Sequence, residues 1–384
     1  RGGGSWRRAA TVWGGVWERA RYCPPSFGWP MAVHPPTRRD LLAAFGALAA
    51  PWPALAGGLV EPPAGRGVEV LRAVAGVPAH VAGQVREAYG FQQTPDGSYL
   101  VFDRRAHTVW RIAPTLDSAR AIVTIGQEQG RLYVPSAFAV GANGVFVVAD
   151  APDGRDRIQI FDDKGIRLSG FTLAEPPALR VTLDTFILGG VSSLAFTGRS
   201  VLVNQPETGA LVSEYSVGGA PLRSLGALRP TGHEADPDLH LAFNVGLPLV
   251  APGGGCWFVF VTGEPRVRRY DGDGRLLFER VLQGREVDAL MAQQPTRWPR
   301  RRLGDGERPV VPPTVRAAAV SPAGEVWIAL ADGVLYAYDA EGEKRRVARL
   351  RGAGPLLPTS LAFTRTGRLL AAPGLYEFDV RAGR

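Results

Sequence analysis

One stretch of the chain decides its fold. Residues 133–165 read YVPSAFAVGANGVFVVADAPDGRDRIQIFDDKG. The turn 141–144 separates a short strand from the apolar run Val145–Val148, and its Asn-Gly pair supplies the positive φ that a tight hairpin requires. An alternating strand, 157–161, follows and ends in a second turn, 162–165. The pattern predicts consecutive antiparallel strands, of which the second is covered on both faces.

The same unit recurs from Val68 onward, at irregular intervals of about 45–70 residues that are typical of propeller blades. A very apolar second strand follows each of the predicted hairpin turns, which lie at 94–97, 141–144, 197–200, 252–254, 321–324 and 364–367. Blades packed face to face would cover these strands. We therefore predict an all-β fold, a six-bladed β-propeller of four-stranded antiparallel blades.

The two ends of the repeat region predict how the ring closes. The last unit begins near Ser360 and stops at Val380 after three strands, whereas one additional strand, 68–74, precedes the first complete unit. An unfilled sheet edge is an aggregation hazard. We predict that the N-terminal strand fills the last blade, so that both ends of the repeat region share one sheet.

The quoted stretch and its repeats carry a resemblance to a known family of repeats. The stretch 133–165 resembles an NHL repeat, and the other units resemble degenerate relatives of it. The chain is in this respect similar to exported bacterial six-bladed propellers of the NHL, TolB-like and SMP-30-like type. The resemblance implies the fold over nearly all of residues 68–384, but propellers of these types serve binding, lactone hydrolysis and lyase chemistry alike.

The charge distribution argues against nucleic acid as a partner. The chain has 44 Lys and Arg against 36 Asp and Glu, a net charge of +8. Residues 1–60 alone hold seven Arg and two acidic residues, which leaves 37 basic and 34 acidic residues in the remainder. A nucleic-acid-binding domain should keep its basic surface after that subtraction. We therefore expect no nucleic-acid partner.

The N-terminal segment predicts export. Residues 1–30 have no helical or strand periodicity, and we expect a non-native or disordered extension there. Arg38-Arg39-Asp40-Leu41-Leu42, the apolar run 43–50 and Ala54-Leu55-Ala56 resemble a twin-arginine signal peptide over 31–56. An ordinary secretory signal or a buried amphipathic helix is the alternative. With 57–67 as a linker, the propeller over 68–384 would be periplasmic or secreted, without a stable transmembrane anchor.

Long connections mark one face of the predicted ring as the binding face. They are the fourth-to-first-strand segments near 75–90, 127–136, 174–191, 229–246 and 283–314, and insertions concentrated on one face are typical of a ligand site. Within them we single out six candidate contacts to a small-molecule or protein ligand: His233, Glu234, Asp236, His240, Arg297 and Trp298. The alternatives are a solvated acidic loop and, for 283–314, a lid whose short helix, 286–294, packs on the propeller.

Three second strands end in polar residues, Asp103, Asp150 and Asn204. Oxygen ligands at one mouth could hold a divalent metal, Ca²⁺ or Mg²⁺ rather than Zn²⁺, and a related set lines the channel of SMP-30-type lactonases. The alternative is that these side chains cap the following turns by accepting backbone N–H bonds. Cys256 falls in an apolar strand and predicts a buried, inert thiol.

No nucleophile elbow, P-loop or dinucleotide fingerprint occurs in the sequence. Catalytic residues are therefore unknown, and the sequence favours a binding protein over an enzyme. We expect an exported propeller that binds a small molecule or protein at its loop-rich face. The alternative is a metal-dependent hydrolase or lyase of the SMP-30-like or NHL-lyase type.

Overall fold

The turn and strand patterns build the same four-stranded antiparallel unit repeatedly in the computed structural model, which describes residues 67–174, 181–183, 186–188, 191–303 and 306–381. Each second strand is buried along its whole length, as its continuous apolar sequence predicts. The hairpin turns take the expected form, with Gly144 at φ +83°. The predicted extension, the signal peptide and residues 57–66 of the linker lie outside the described residues.

The first four complete units are separate four-stranded antiparallel sheets with their strands in chain order. These sheets are β2–β5 (Ala88–Gln93, Tyr99–Asp103, Thr108–Ile112 and Ala119–Val123), β6–β9 (Ala137–Val140, Phe146–Asp150, Arg157–Phe161 and Arg167–Thr172), β12–β15 (Leu194–Phe196, Ser200–Asn204, Ala210–Ser216 and Pro221–Ala227) and β16–β19 (Gly246–Val250, Cys256–Phe260, Arg266–Tyr270 and Leu276–Val281). The first strand of each unit contacts the first strands of neighbouring units, and we call it the inner strand.

The described helices and two extra hairpins lie in the long connections. They are α1 (Ala79–Ala82), the hairpin β10–β11 (Val181–Leu183 and Phe186–Leu188), α2 (Pro237–Ala242), α3 (Arg285–Ala292) and the hairpin β20–β21 (Arg300–Leu303 and Gly306–Pro309). The short helix predicted over 286–294 is α3, and its Val287, Leu290 and Met291 pack on the apolar core as its periodicity indicates. None of the helices in the described part of the chain has the length and hydrophobicity of a membrane span.

The last strands of the repeat region form one eight-stranded sheet instead of two separate ones. Its order is β22-β23-β24-β25-β1-β28-β27-β26, with bounds β1 Glu69–Gly76, β22 Val315–Val320, β23 Val326–Leu330, β24 Val334–Tyr338, β25 Lys344–Arg351, β26 Ser360–Phe363, β27 Leu369–Ala372 and β28 Tyr376–Phe378. The sequence predicted six blades, whereas the described part of the chain contains four separate four-stranded sheets and this joined sheet. The difference arises because β1 pairs on both of its edges.

The N-terminal strand β1 is the element that joins the two halves of this sheet. Its first half, Glu69–Arg72, runs parallel to β25, and its second half, Ala73–Gly76, runs antiparallel to β28. The predicted pairing of the N-terminal strand with the last unit is thus present. The additional parallel pairing with β25 has no counterpart in the sequence analysis, since local patterns do not specify parallel partners.

The sheets are arranged as a propeller around the inner strands. The inner strands β2, β6, β12, β16, β22 and β26 each contact the next in that order, and β26 contacts β2. Apolar side chains fill the space between neighbouring sheets, as where Phe102 of one sheet stacks on Phe138 of the next with ring centroids 5.4 Å apart. The core therefore lies between sheets, which is why every second strand is apolar on both faces.

An ion pair fastens β1 to the sheet it completes. The guanidinium of Arg346 donates to both carboxylate oxygens of Glu69, at 2.7 and 2.8 Å through Nη2. The same guanidinium lies 5.1 Å from the centroid of the Trp327 ring and donates to the carbonyl of Val380. One side chain thus touches both ends of the repeat region.

Removing β1 should open two sheet edges at once. We expect a chain that begins after Gly76 to melt at least about 5 °C below a chain that begins at Gly67, or to aggregate, because β25 and β28 both lose their partner. Differential scanning calorimetry of the two chains measures the effect. Equal melting temperatures would contradict the structural role given to β1.

Candidate ligand-binding cavity

The inner strands enclose a cavity of about 300 Å³ at the centre of the ring. All of them contribute to its wall, together with the residues just before them. Since neighbouring strands alternate in direction, the inner strands begin on the face that carries the long connections. The residues at the start of the cavity wall therefore lie towards the face that the sequence analysis identified as loop-rich.

One residue of each unit occupies the same place at the start of the cavity wall. These residues, here called the rim residues, lie five positions before the first residue of each hairpin turn, which in the fourth unit is Ala251, whose carbonyl accepts the N–H of Gly254. They are Tyr89, Ser136, Ser192, Gly246, Arg316 and Thr359. All of them except Gly246 line the cavity. Hydroxyl groups and one guanidinium therefore make up its polar end.

Two rim residues sit in β-bulges. The pairing of β2 with β3 shifts register between Ala88 and Gly90, at Tyr89, and the pairing of β22 with β23 shifts between Val315 and Ala317, at Arg316. A bulge inserts one unpaired residue and re-aims its side chain, and bulges are frequent beside functional sites. The two largest rim side chains thus depart from the regular ladder at equivalent places.

The electrostatic environment of Tyr89 keeps its phenol protonated. Burial raises the pKa of Tyr89, and the nearby guanidinium groups of Arg104 and Arg316 offset only part of that rise. The Arg104 guanidinium lies 4.2 Å from the centroid of the Tyr89 ring and forms an ion pair with Glu87 at 2.5 Å. The Tyr89 hydroxyl is therefore a neutral hydrogen-bond donor at physiological pH.

Two serine hydroxyls of the cavity wall have no hydrogen-bond partner within the protein. The Oγ atoms of Ser136, which is 4% exposed, and of Ser360 are buried and unsatisfied. By contrast, Ser192 donates to Asn204 Oδ1 at 3.0 Å and Thr359 donates to the carbonyl of Ala88 at 3.1 Å. A buried polar group without a partner costs free energy, which makes it a candidate contact for a bound ligand.

Ser136→Ala should stabilise the ligand-free protein. The change removes a buried hydroxyl that lacks a partner, and we expect the free energy of unfolding to rise by about 1 kcal/mol. Urea unfolding of the purified protein measures this value. Ser193→Ala is the matched control, because Ser193 Oγ donates to the carbonyl of Gly246 and its loss should destabilise. A destabilised Ser136→Ala protein would show that the hydroxyl has a structural partner.

The three strand-end residues lie at the ends of β3, β7 and β13 and are wholly buried. Asp103 accepts the backbone N–H groups of Arg86 at 2.6 Å, Glu87 at 3.1 Å and Ala106 at 2.9 Å. These bonds tie the incoming connection to the turn that follows the strand. Asp103 thus positions the segment that leads into Tyr89, as the capping alternative predicts.

Asp150 and Asn204 hold the connections that lead into their own sheets, and Asn204 also contacts the first strand of the next sheet. Asp150 forms a two-point ion pair with Arg157, at 2.9 and 2.6 Å, and accepts the N–H of Tyr133 at 3.1 Å. Asn204 Oδ1 accepts from Ser192 Oγ and from the N–H of Gly246 at 3.2 Å. Their oxygens are committed to internal donors, and no group of three or more His, Cys, Asp or Glu suited to a metal ion occurs among the described residues.

Divalent metals should therefore not raise the melting temperature through these three strand-end residues. We expect no shift from Ca²⁺, Mg²⁺ or Zn²⁺ bound there, since stabilisation by a ligand requires free ligand atoms and these oxygens accept internal hydrogen bonds. Asp150→Asn should instead lower the free energy of unfolding by about 3 kcal/mol, because it leaves the buried Arg157 charge uncompensated. A metal-induced shift that Asp150→Asn abolishes would instead support the metal site predicted from the sequence.

The acidic loop predicted as a ligand contact is held by bonds within the loops. Asp236 caps α2 by accepting the N–H of Leu239 and pairs with Arg300 of β20. Glu234 accepts the N–H of Thr231 at 2.7 Å, which lowers the pKa of Glu234. His240 Nδ1 lies 2.8 Å from the Thr231 hydroxyl.

Aromatic contacts join the same loop to the connection 283–314. His233 stacks on Phe243 with ring centroids 5.4 Å apart, and Trp298 contacts the same Phe243 ring edge-on with centroids 5.1 Å apart. Val311 belongs to the same apolar cluster, while Arg297 is exposed. The structure thus brings five of the six predicted loop contacts into one junction between two connections, outside the cavity wall.

The cavity residues were missed because no local motif marks them. Tyr89, Ser136, Arg316 and Ser360 are ordinary strand residues in sequence, and only an alignment of the units on their hairpin turns places the rim residues in one column. The prediction for Cys256 is confirmed: the thiol is free and buried, and burial raises its pKa to about 11.

Two comparisons with known proteins found no match, and a third found distant structural similarity. No protein-family model matches the sequence, and no curated protein matches it. The chain is similar to a solved structure of streptogramin B lyase, with 12% identity and a TM-score of 0.45 over 76% of this chain and 92% of that one. It is similar to the hydrazine synthase of Kuenenia stuttgartiensis (12% identity, TM-score 0.43, 77% and 95% covered) and to a protein of unknown function from Bacteroides caccae (12%, 0.43, 72% and 85%).

Proposed function

We propose that the chain is a six-bladed β-propeller of NHL-like type, in which the eight-stranded sheet supplies two blades joined by β1. The closed circle of contacts among the inner strands supports this count. The rim residues support it independently, because each unit contributes one of them at the same distance from its hairpin turn. The NHL relationship rests on the stretch 133–165.

We further propose that the protein binds a small organic molecule in the central cavity. The observation that carries this proposal is the buried, unpartnered hydroxyl of Ser136 in the cavity wall. A ligand acceptor would satisfy that donor, and the cavity volume of about 300 Å³ lies at the lower end of the range for ligand pockets. The strand-end residues and the loop junction then act as the rigid support of the site.

Export belongs to the same proposal and rests on the sequence. The twin-arginine-like segment 31–56 supports a periplasmic or secreted binding protein. Such a protein needs no catalytic group. The metal-dependent hydrolase or lyase named as the alternative gains no support from Asp103, Asp150 and Asn204, whose oxygens accept internal hydrogen bonds.

A thermal-shift screen of small organic molecules tests the binding site. We expect compounds that raise the melting temperature of the natural protein to lose their effect in Ser136→Leu, where a larger side chain narrows the cavity. The effect should survive in Trp298→Ala, which alters the loop junction only. Ser136→Ala separates loss of the hydroxyl from loss of space.

The opposite pattern would indicate that the ligand-binding site lies elsewhere in the protein. Shifts that survive Ser136→Leu and disappear in Trp298→Ala would place the ligand at the loops, as first predicted from the sequence. A screen that finds no stabilising compound in the natural protein would contradict the proposed function.

A further inference from the structure

We infer that the ligand of the central cavity is a small uncharged molecule with a secondary amide group, whose carbonyl oxygen accepts a hydrogen bond from Ser136 and whose N–H group donates to the backbone at the edge of an inner strand. This inference rests on the proposed function and names the ligand class of the same site. It follows from the backbone groups that face the cavity, from the unpartnered hydroxyls in its wall and from the charges there.

Free strand edges form much of the cavity wall. In the described part of the chain, each inner strand is the terminal strand of its sheet and pairs with the second strand of its unit along one edge only. Side chains stand perpendicular to a sheet, and here they pack between neighbouring sheets, as Phe138 does on Phe102. The second edge of each inner strand, with its backbone N–H and C=O groups, therefore faces the cavity that these strands enclose.

The hairpin turns show which backbone groups lie at the free edge. The first residue of each turn donates its N–H towards the second strand, as where Gly141 donates to the carbonyl of Val145 at 2.8 Å. Along an antiparallel ladder, residues alternate between those that bond to the partner strand and those that do not. The residues one and three positions before each turn therefore direct their N–H and C=O groups to the free edge. In the second unit these are Val140 and Phe138, and both line the cavity.

Two observations support this assignment of the free edge. Val140 donates its N–H to the side-chain oxygen of Gln92, which lies on β2 in another sheet, at 3.0 Å. Pro248, three positions before the turn of its unit, has no N–H, which a strand tolerates where no ladder bond is needed. The Gln92 contact also shows which chemistry suits the free edge, because the acceptor is the carbonyl oxygen of a carboxamide.

A secondary amide complements such a wall. Its planar trans geometry directs the N–H and the C=O to opposite sides, so that one group contacts two parts of the ring. The N–H would donate to a backbone carbonyl of a free edge, and the C=O would accept from Ser136 Oγ, which is buried and lacks a partner. Ser360 Oγ lacks a partner as well. Ser136 precedes β6 and Ser360 begins β26, and both of these strands contact β2, so the two hydroxyls flank one inner strand.

The charges in the cavity wall favour an uncharged ligand. None of the lining residues, all of which lie in the described part of the chain, is acidic. Arg316 is the one basic residue among them, and it already interacts with other groups of the protein. Neither an anionic nor a cationic ligand would therefore find an unused countercharge, and the burial of an unpaired charge is costly.

Isothermal titration calorimetry of the full chain with four probes of similar length tests the inference. N-methylhexanamide carries the amide, methyl hexanoate replaces the N–H by an oxygen, hexanoate is an anion and N-methylhexylammonium is a cation. We expect the amide to bind at least about tenfold more tightly than each of the other three, a difference of about 1.4 kcal/mol. The comparison with the ester isolates the N–H group, since the two molecules have nearly the same shape.

Ser136→Ala should weaken the binding of N-methylhexanamide by about fivefold, because the amide carbonyl loses its donor. Ser224→Ala is the matched control, since it removes one serine hydroxyl from an exposed position outside the cavity wall, and it should bind the amide normally. Melting curves without ligand establish that each variant is folded.

The outcomes separate this inference from the proposed function. Equal or tighter binding of the ester, hexanoate or N-methylhexylammonium by the natural protein would overturn the amide class while cavity binding stands. Amide affinity that is insensitive to Ser136→Ala would overturn the assigned contact to that hydroxyl. Failure of all four probes overturns the amide assignment, and the proposed function itself falls only if the wider screen also finds no ligand.

Discussion

The pairing of β1 on both of its edges is the constraint on which the rest of the structure depends. The strands of the four separate sheets find their partners within their own unit, whereas β1 runs beside β25 and then beside β28 and so links two units. This pairing joins the fifth and sixth units at their outer strands and ties the N-terminal end of the repeat region to its C-terminal end. Hydrogen bonds along β1, and the contacts of Arg346 to Glu69 and Val380, provide that hold.

A closed ring makes a fixed cavity wall out of residues that are far apart in sequence. Each inner strand is held by a wholly buried second strand, and in three units a buried polar residue at the end of that strand fixes the segment leading into the rim. The rim side chains therefore project from rigid elements and not from the loops. Such support is what a preorganised binding site requires.

The strands, the turns and the closure by the N-terminal strand could be predicted from sequence because each follows from local periodicity or from a missing partner. The helix α3 could be predicted for the same reason. The parallel pairing of β1 could not, since it joins segments nearly 280 residues apart. The bulges at Tyr89 and Arg316 also leave no sign in the sequence, and hence neither residue was singled out.

The loop residues show a second limit of prediction from sequence, which concerns the partners of polar side chains. His233, Asp236 and Trp298 have the chemistry of ligand contacts, but their partners inside the protein come from distant positions, as with Asp236 and Arg300, which are 64 residues apart. A dense polar cluster in a connection therefore does not distinguish a binding site from a junction. The distinction needs the partner of each group.

The rim residues also give the protein a modular recognition surface. Because every unit supplies one residue at the same place, a substitution at one of these positions alters one sector of the ring and leaves the neighbouring hairpins intact. Tyrosine, serine, glycine, arginine and threonine already occupy that place in different units, so the backbone tolerates very different side chains there. Specificity could change stepwise in such a protein, one repeat at a time, without rebuilding the scaffold.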